Sequence, residues 1–214
     1  MSQPVKKAII SVCKQPDVAT GTIDVYCIAF LFVEFSSTAG GIYGAISDHT
    51  VHIPKALTDP VPDLVNHSVY NTSASMYETL FKDRTPLQTP EMAGHVRGQI
   101  ISLLVANGIM TPSTTKFIGL EAFSDLNLLI KNRYLLHGDF SEDSIDIRSS
   151  FETLMEAKYD VGRNKQELLV SVMEKGVIPS MKVNPKETSD PLYECYQCLK
   201  IYNGMLKYGR MPLK

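Results

Sequence analysis

The side chains best suited to chemistry in this 214-residue chain are Cys195 and Cys198, a C-x-x-C pair whose thiolates could bind zinc or cycle through a disulfide. A structural zinc needs four ligands, usually from a second close pair, yet Cys13 and Cys27 lie far apart on separate expected strands. The redox reading needs the pair at the start of a helix that follows a strand. Here it falls inside a helix that follows a proline-containing stretch, so it reads as two small packing residues. Asp48, His49 and His52 could form an H-x-x-H ligand set only on a turn, because residues three apart on a strand point to opposite faces. Gly40, Gly41 and Gly44 before Lys55 would suit a phosphate-cradling loop, but no Walker lysine-serine/threonine pair or helix follows them, and a hairpin turn explains the glycines. No metal ligand set and no cofactor are expected.

Leu136-His137-Gly138-Asp139-Phe140 is similar to the HGD catalytic-loop motif of the aminoglycoside phosphotransferase and choline kinase families. That resemblance implies Asp139 as the base for a substrate hydroxyl. It covers five residues, Ser144 stands where those families place a metal-binding Asn, and no strand-borne Lys with a partner Glu is evident upstream. The same residues read as a helix end, with Gly138 as its stop. The five histidines (His49, His52, His67, His95 and His137) sit in no recognisable nucleophile context.

The one basic patch is C-terminal. Lys200, Lys207, Arg210 and Lys214 interleave with Tyr196, Tyr202 and Tyr208, a pattern in which bases could stack on tyrosine while cations meet phosphate. A solvated helix end with cations near its negative pole explains the same residues.

The elements that would position these groups divide the chain. Lys7–Cys13 and Ile23–Phe35 are rich in β-branched and aromatic residues and read as strands, with shorter candidates at Ile42–Ile46 and Thr50–Ile53. In the second strand Val25, Cys27, Ala29, Leu31 and Val33 would face one way, and Tyr26, Ile28, Phe30 and Phe32 the other. Both faces want burial, so this strand is central or lies at an interface. Pro54, Pro60 and Pro62 mark a boundary, after which the apolar period becomes helical. Thr89–Gly108 is the most strongly specified helix: Thr89 caps it, Pro90 fits its first position, and Gly108 can end it. Its apolar residues read as covering more than one side, with Gly94 and Gly98 offering a close-packing face. Helices are also expected from Ser75, from Thr111-Pro112 to about Leu136, from Ser141 or Asp143, from Asn164 with its capping-box partner Glu167, and from Asp190-Pro191.

The fold class expected is α+β: a β-rich segment over 1–53, a proline-containing linker over 54–74 and a predominantly helical domain over 75–214. With 44% hydrophobic residues the chain can bury a core, and a net charge of −2 excludes a strong overall cationic field. No segment is long and apolar enough to span a membrane. Four cysteines without an export signal point to an intracellular, cytoplasmic setting with free thiols. These features favour a non-enzymatic structural protein, a capsid-, nucleocapsid- or matrix-like subunit by analogy. It would self-associate into a homo-oligomer through Val25, Cys27, Ile28, Phe30 and Phe32. The alternatives are RNA binding through Lys200, Lys207, Arg210, Lys214, Tyr202 and Tyr208, and an enzyme built on Asp139.

Overall fold

The doubly apolar run that begins at Ile23 becomes the strand on which both layers of the molecule are built. The computed structural model describes residues 6–16, 23–36, 41–53, 89–109, 115–141, 143–154, 165–174 and 190–207. Their elements run β1 (Lys6–Pro16), β2 (Ile23–Ser36), β3 (Ile42–His52), α1 (Pro90–Ala106), β4 (Phe117–Gly119), α2 (Ala122–Lys131), a 3-10 turn (His137–Asp139), β5 (Ile145–Asp146), α3 (Ile147–Leu154), α4 (Lys165–Glu174) and α5 (Pro191–Lys207). The sheet order is β3-β2-β1-β4-β5. The first three strands form an antiparallel meander, whereas β4 joins β1 in parallel and β5 joins β4 in parallel. The class is therefore α+β on a mixed five-stranded sheet, as the strand and helix patterning predicts.

Alternation along β1 and β2 sends side chains into two cores. Ile9, Ala29, Leu31 and Val33 pack with Leu192, Cys195, Cys198 and Tyr202 of α5, while Ala8, Ile10, Val12, Ile28, Phe30 and Phe32 pack with Val96, Ile100 and Leu104 of α1 and Leu126 and Leu129 of α2. The β1–β2 register shifts where Cys13 opposes Cys27 but Lys14 opposes Val25. The extra residue, Tyr26, reverses the alternation and puts Val25 in the same core as Ile28.

This burial overturns the proposed self-association surface. Val25, Cys27, Ile28, Phe30 and Phe32 are all within 1% of complete burial inside one chain, so none of them is available to a second copy. β2 is apolar on both faces because helices cover both faces of the sheet.

Three further expectations change. The region after the proline stretch is not wholly helical, since β4 and β5 come from it; at three and two residues they are too short to leave a periodic signal. Helix α1 keeps its Thr89 cap, which accepts from the Met92 N–H at 3.2 Å, but it is one-sided. Met92, Ala93, Val96, Ile100 and Leu104 are buried and Val105 is exposed. Among the described residues no atom beyond the helix's own backbone lies within 4 Å of a Cβ built on Gly94 or Gly98, so no described element packs closely on that face. The helix expected to run to Leu136 ends at Lys131, with Arg133 rather than Gly138 in the left-handed conformation at φ 61°. The 54–74 linker and the helix expected from Ser75 lie outside the described residues, as does Asn164.

Candidate functional site

The sheet changes direction at β1, which has an antiparallel neighbour on one side and a parallel one on the other. In open sheets, ligand sites commonly lie beyond the carboxyl ends of the strands where the strand order reverses, and here the chain builds outward from β1 to β2 and β3 on one side and places β4 and β5 on the other. This end of the sheet, here termed the crevice, brings together the ends of β1 (Ser11 to Lys14), β4 (Gly119 to Glu121) and β5 (Asp146 to Arg148) with the first turns of α2 and α5.

Lys14 is the polar end of the row Ala8, Ile10, Val12 and so reaches the α2 side of the sheet. Its Nζ donates to Asp125 Oδ1 at 2.7 Å and lies 3.8 Å from Glu121 Oε2. Glu121 also accepts from Arg148 Nη2 at 2.8 Å. Asp125 is completely buried because it shares the inward stripe of α2 with Ala122, Leu126 and Leu129. On the other side of β1, Ser11 follows Ile9 in the row facing α5 and donates its hydroxyl to Glu194 Oε1 at 2.7 Å. Asp146 accepts from the Phe123 N–H at 3.1 Å and the Ser149 N–H at 3.0 Å, tying β5 to both flanking helices. Gly119 is required where β4 approaches β1: a Cβ there would meet the Ile10 carbonyl oxygen at 3.0 Å and Ala122 at 3.2 Å.

None of these polar residues stands out in a search for motifs. The legible signal was a charged residue at an apolar position, Asp125 on the Leu126/Leu129 stripe and Glu194 beside Cys195. The residues singled out from sequence lie elsewhere. Cys195 is buried with its thiol 3.8 Å from the Ile9 carbonyl oxygen and 3.7 Å from that of Ala29, and Cys198 is buried in the same core. Asp48 accepts from Tyr196 Oη at 2.8 Å, His49 meets the Phe32 ring edge-on at 5.8 Å, and His52 Nε2 lies 3.1 Å from Thr50 Oγ1.

The HGD resemblance does not carry over into a catalytic site. Asp139 is gripped by Arg97 at 2.6 and 2.5 Å, and accepts from the Leu136 N–H at 2.8 Å. The Arg97 hydrogen bonds hold its carboxyl below the usual range, against the opposing effect of desolvation. It clamps the 3-10 turn to α1. Tyr202 is also removed from any nucleic-acid contact, because it is buried and its hydroxyl accepts from Lys7 Nζ at 3.2 Å. Lys200 and Lys207 are exposed on α5, while Tyr208, Arg210 and Lys214 lie outside the described residues.

No protein-family model and no curated protein matches the sequence. Solved structures do match the fold. The nuclease domain of 3'hExo, a DEDDh family member bound to rAMP, aligns with a TM-score of 0.58 and 13% identity over 98% of this chain and 95% of that one. A full-length 3'-exonuclease aligns with a TM-score of 0.60 and 12% identity, covering 98% of this chain and 62% of that one. The expectation of a non-enzymatic structural subunit is corrected by this likeness, since nearly the whole chain shares its fold with these two nucleases.

Nucleases commonly use divalent cations held between converging carboxylates. The residues present here do not fit such an ion. Among the described residues no three acidic, His or Cys side chains converge as a ligand set. Asp125 and Glu194 reach β1 from opposite sides of the sheet and are engaged by Lys14 and Ser11. Asp125 Oδ2 is buried without a hydrogen-bond partner, but a divalent ion about 4 Å from the Lys14 ammonium would meet a repulsion of about 8 kcal/mol at an effective dielectric of about 20. Among the described residues no helix is long and apolar enough to cross a membrane. The chain has an RNase H-like fold, shared along its length with nucleases of low sequence identity.

Proposed function

We propose that this chain is a nuclease-like domain that engages a nucleic-acid strand in the crevice where β1, β4 and β5 end. The observation that carries this reading is the likeness to two nucleases over 98% of the chain, together with a switch-point crevice that presents Lys14 and Arg148. The similar nuclease domain is bound to rAMP, which favours a ribonucleotide strand as the first probe. Two cations, Lys14 and Arg148, stand among four acids: Glu121, Asp125, Asp146 and Glu194. Long-range attraction to phosphate is therefore weak, and binding should be modest in affinity with a shallow salt slope. Four free cysteines fit a reducing, intracellular setting.

The test is fluorescence anisotropy with a labelled single-stranded RNA at two salt concentrations. Arg148→Glu should weaken binding by about tenfold, because it replaces a phosphate-competent cation with a repelling charge. Glu121→Gln should tighten it by a factor of about two to five, because Arg148 and Lys14 lose a competing carboxylate. Absence of binding at low salt, or binding indifferent to both substitutions, would remove the crevice as the interface. Gel analysis of the same mixtures for shortened strands, with and without added divalent cation, extends the reading to hydrolysis if products form.

A further inference from the structure

We propose that Lys14 is the resident cation of this crevice. Its ammonium supplies to Asp125 and Glu121 the counter-charge that metal-dependent phosphodiester chemistry draws from divalent ions.

The geometry is specific. The Asp125 side chain is 1% exposed, Lys14 Nζ lies 2.7 Å from its Oδ1, and the second oxygen is buried with no hydrogen-bond partner among the described residues. A carboxylate so enclosed must be compensated by a nearby positive charge, and the ammonium is the cation that touches it. Lys14 is aimed there by strand alternation, since it follows Ala8, Ile10 and Val12 on the face that packs against α2. It is held there from its other side by Glu121, which the Arg148 guanidinium in turn fixes at 2.8 Å. The pair joins two elements 111 residues apart, so it ties β1 to α2 at the mouth of the crevice. The ammonium lies where a metal bound to Asp125 would need low positive potential, and it excludes one by repulsion.

This inference concerns the crevice proposed above, but its readouts involve no nucleic acid, so it can fail while strand binding survives, and the reverse. The experiment uses the 214-residue chain stripped of metal, with thermal unfolding in chelator and in millimolar Mn²⁺, and the electron paramagnetic resonance signal of free Mn²⁺ as the binding readout. The wild-type protein should melt at one temperature in both media and leave the Mn²⁺ signal undiminished. Lys14→Gln should melt about 5–15 °C lower in chelator, because an enclosed carboxylate loses its partner. With the ammonium gone, Asp125 and Glu121 remain as two carboxylates, too few for a tight site, so the variant should take up Mn²⁺ only weakly, at millimolar concentration, and regain part of that loss. Lys14→Gln with Asp125→Asn should recover most of the stability without Mn²⁺ and ignore the ion. The proposal is overturned if the wild-type protein binds Mn²⁺, or if Lys14→Gln melts like wild type. A destabilised Lys14→Gln that ignores Mn²⁺ also overturns it, by reducing Lys14 to an ordinary ion-pair partner. Should Lys14→Gln fail to fold, the double variant decides: a folded, metal-indifferent protein supports the charge pairing, and an unfolded one overturns it by assigning Lys14 to packing.

Discussion

Single side chains in this protein often depart from the chemistry their sequence context suggests, because burial changes what they can do. His52 is an example. Read beside His49 it looks like a metal ligand, yet the two point to opposite faces of β3, and desolvation lowers the His52 pKa from 6.5 to about 4. The native state therefore holds it neutral, and the unfolded chain takes up a proton first as pH falls. Its contribution to stability is complete above about pH 6.5 and is lost progressively as pH falls to about 4, a span worth about 3 kcal/mol. Urea midpoints measured across that window should fall with pH for the wild-type protein, and His52→Gln should flatten the curve. Burial also lowers the Lys7 pKa from 10.5 to about 8, with Lys116 adding repulsion. The sign here is that stability rises between about pH 8 and 10.5, where the unfolded chain remains protonated and the native one need not be.

Among the elements, β4 has more consequence than its three residues suggest. It converts an antiparallel meander into a mixed sheet and so brings the carboxyl ends of β1, β4 and β5 to one end of it. Gly119 makes that junction close. In Gly119→Ala the new methyl carbon would press on the Ile10 carbonyl oxygen at 3.0 Å and on Ala122 at 3.2 Å, both parts of regular elements that yield little. We expect a loss of about 1–3 kcal/mol in urea unfolding and, because the strain falls between β1 and α2, a weakened Lys14–Asp125 pairing. An unchanged midpoint would mean that β4 can move away from β1 at little cost. Arg97 and Asp139 act at the same scale, fastening the turn after α2 to α1 through a bidentate ion pair.

The described residues form a sheet with helices on both faces, and β2 belongs to both cores. Phe30 and Leu31 are adjacent in sequence but face opposite layers. Phe30→Ala should cost about 3–5 kcal/mol and Leu31→Ala about 2–5 kcal/mol, each lowering one cooperative transition. A biphasic melt, with one layer surviving the other, would show that β2 does not couple them. These losses would appear as instability of the folded chain, because both residues are enclosed by its own helices.

The sequence by itself determined the long elements. The alternation of β2, the Thr89-Pro90 start of α1 and the Asp190-Pro191 start of α5 are written in local residue choice, where propensity, capping and period agree. Its low net charge also set how weakly the chain can attract phosphate from a distance. Tertiary structure alone decided what covers β2, and thereby turned an apparent docking surface into a core. It also decided that β4 and β5 exist, since strands of three and two residues are defined by the neighbours they pair with and not by any pattern of their own. The candidate site belongs to the same class of fact. Lys14 and Asp125, like Ser11 and Glu194, are 111 and 183 residues apart along the chain and acquire their partners only when β1 becomes the strand at which the sheet reverses.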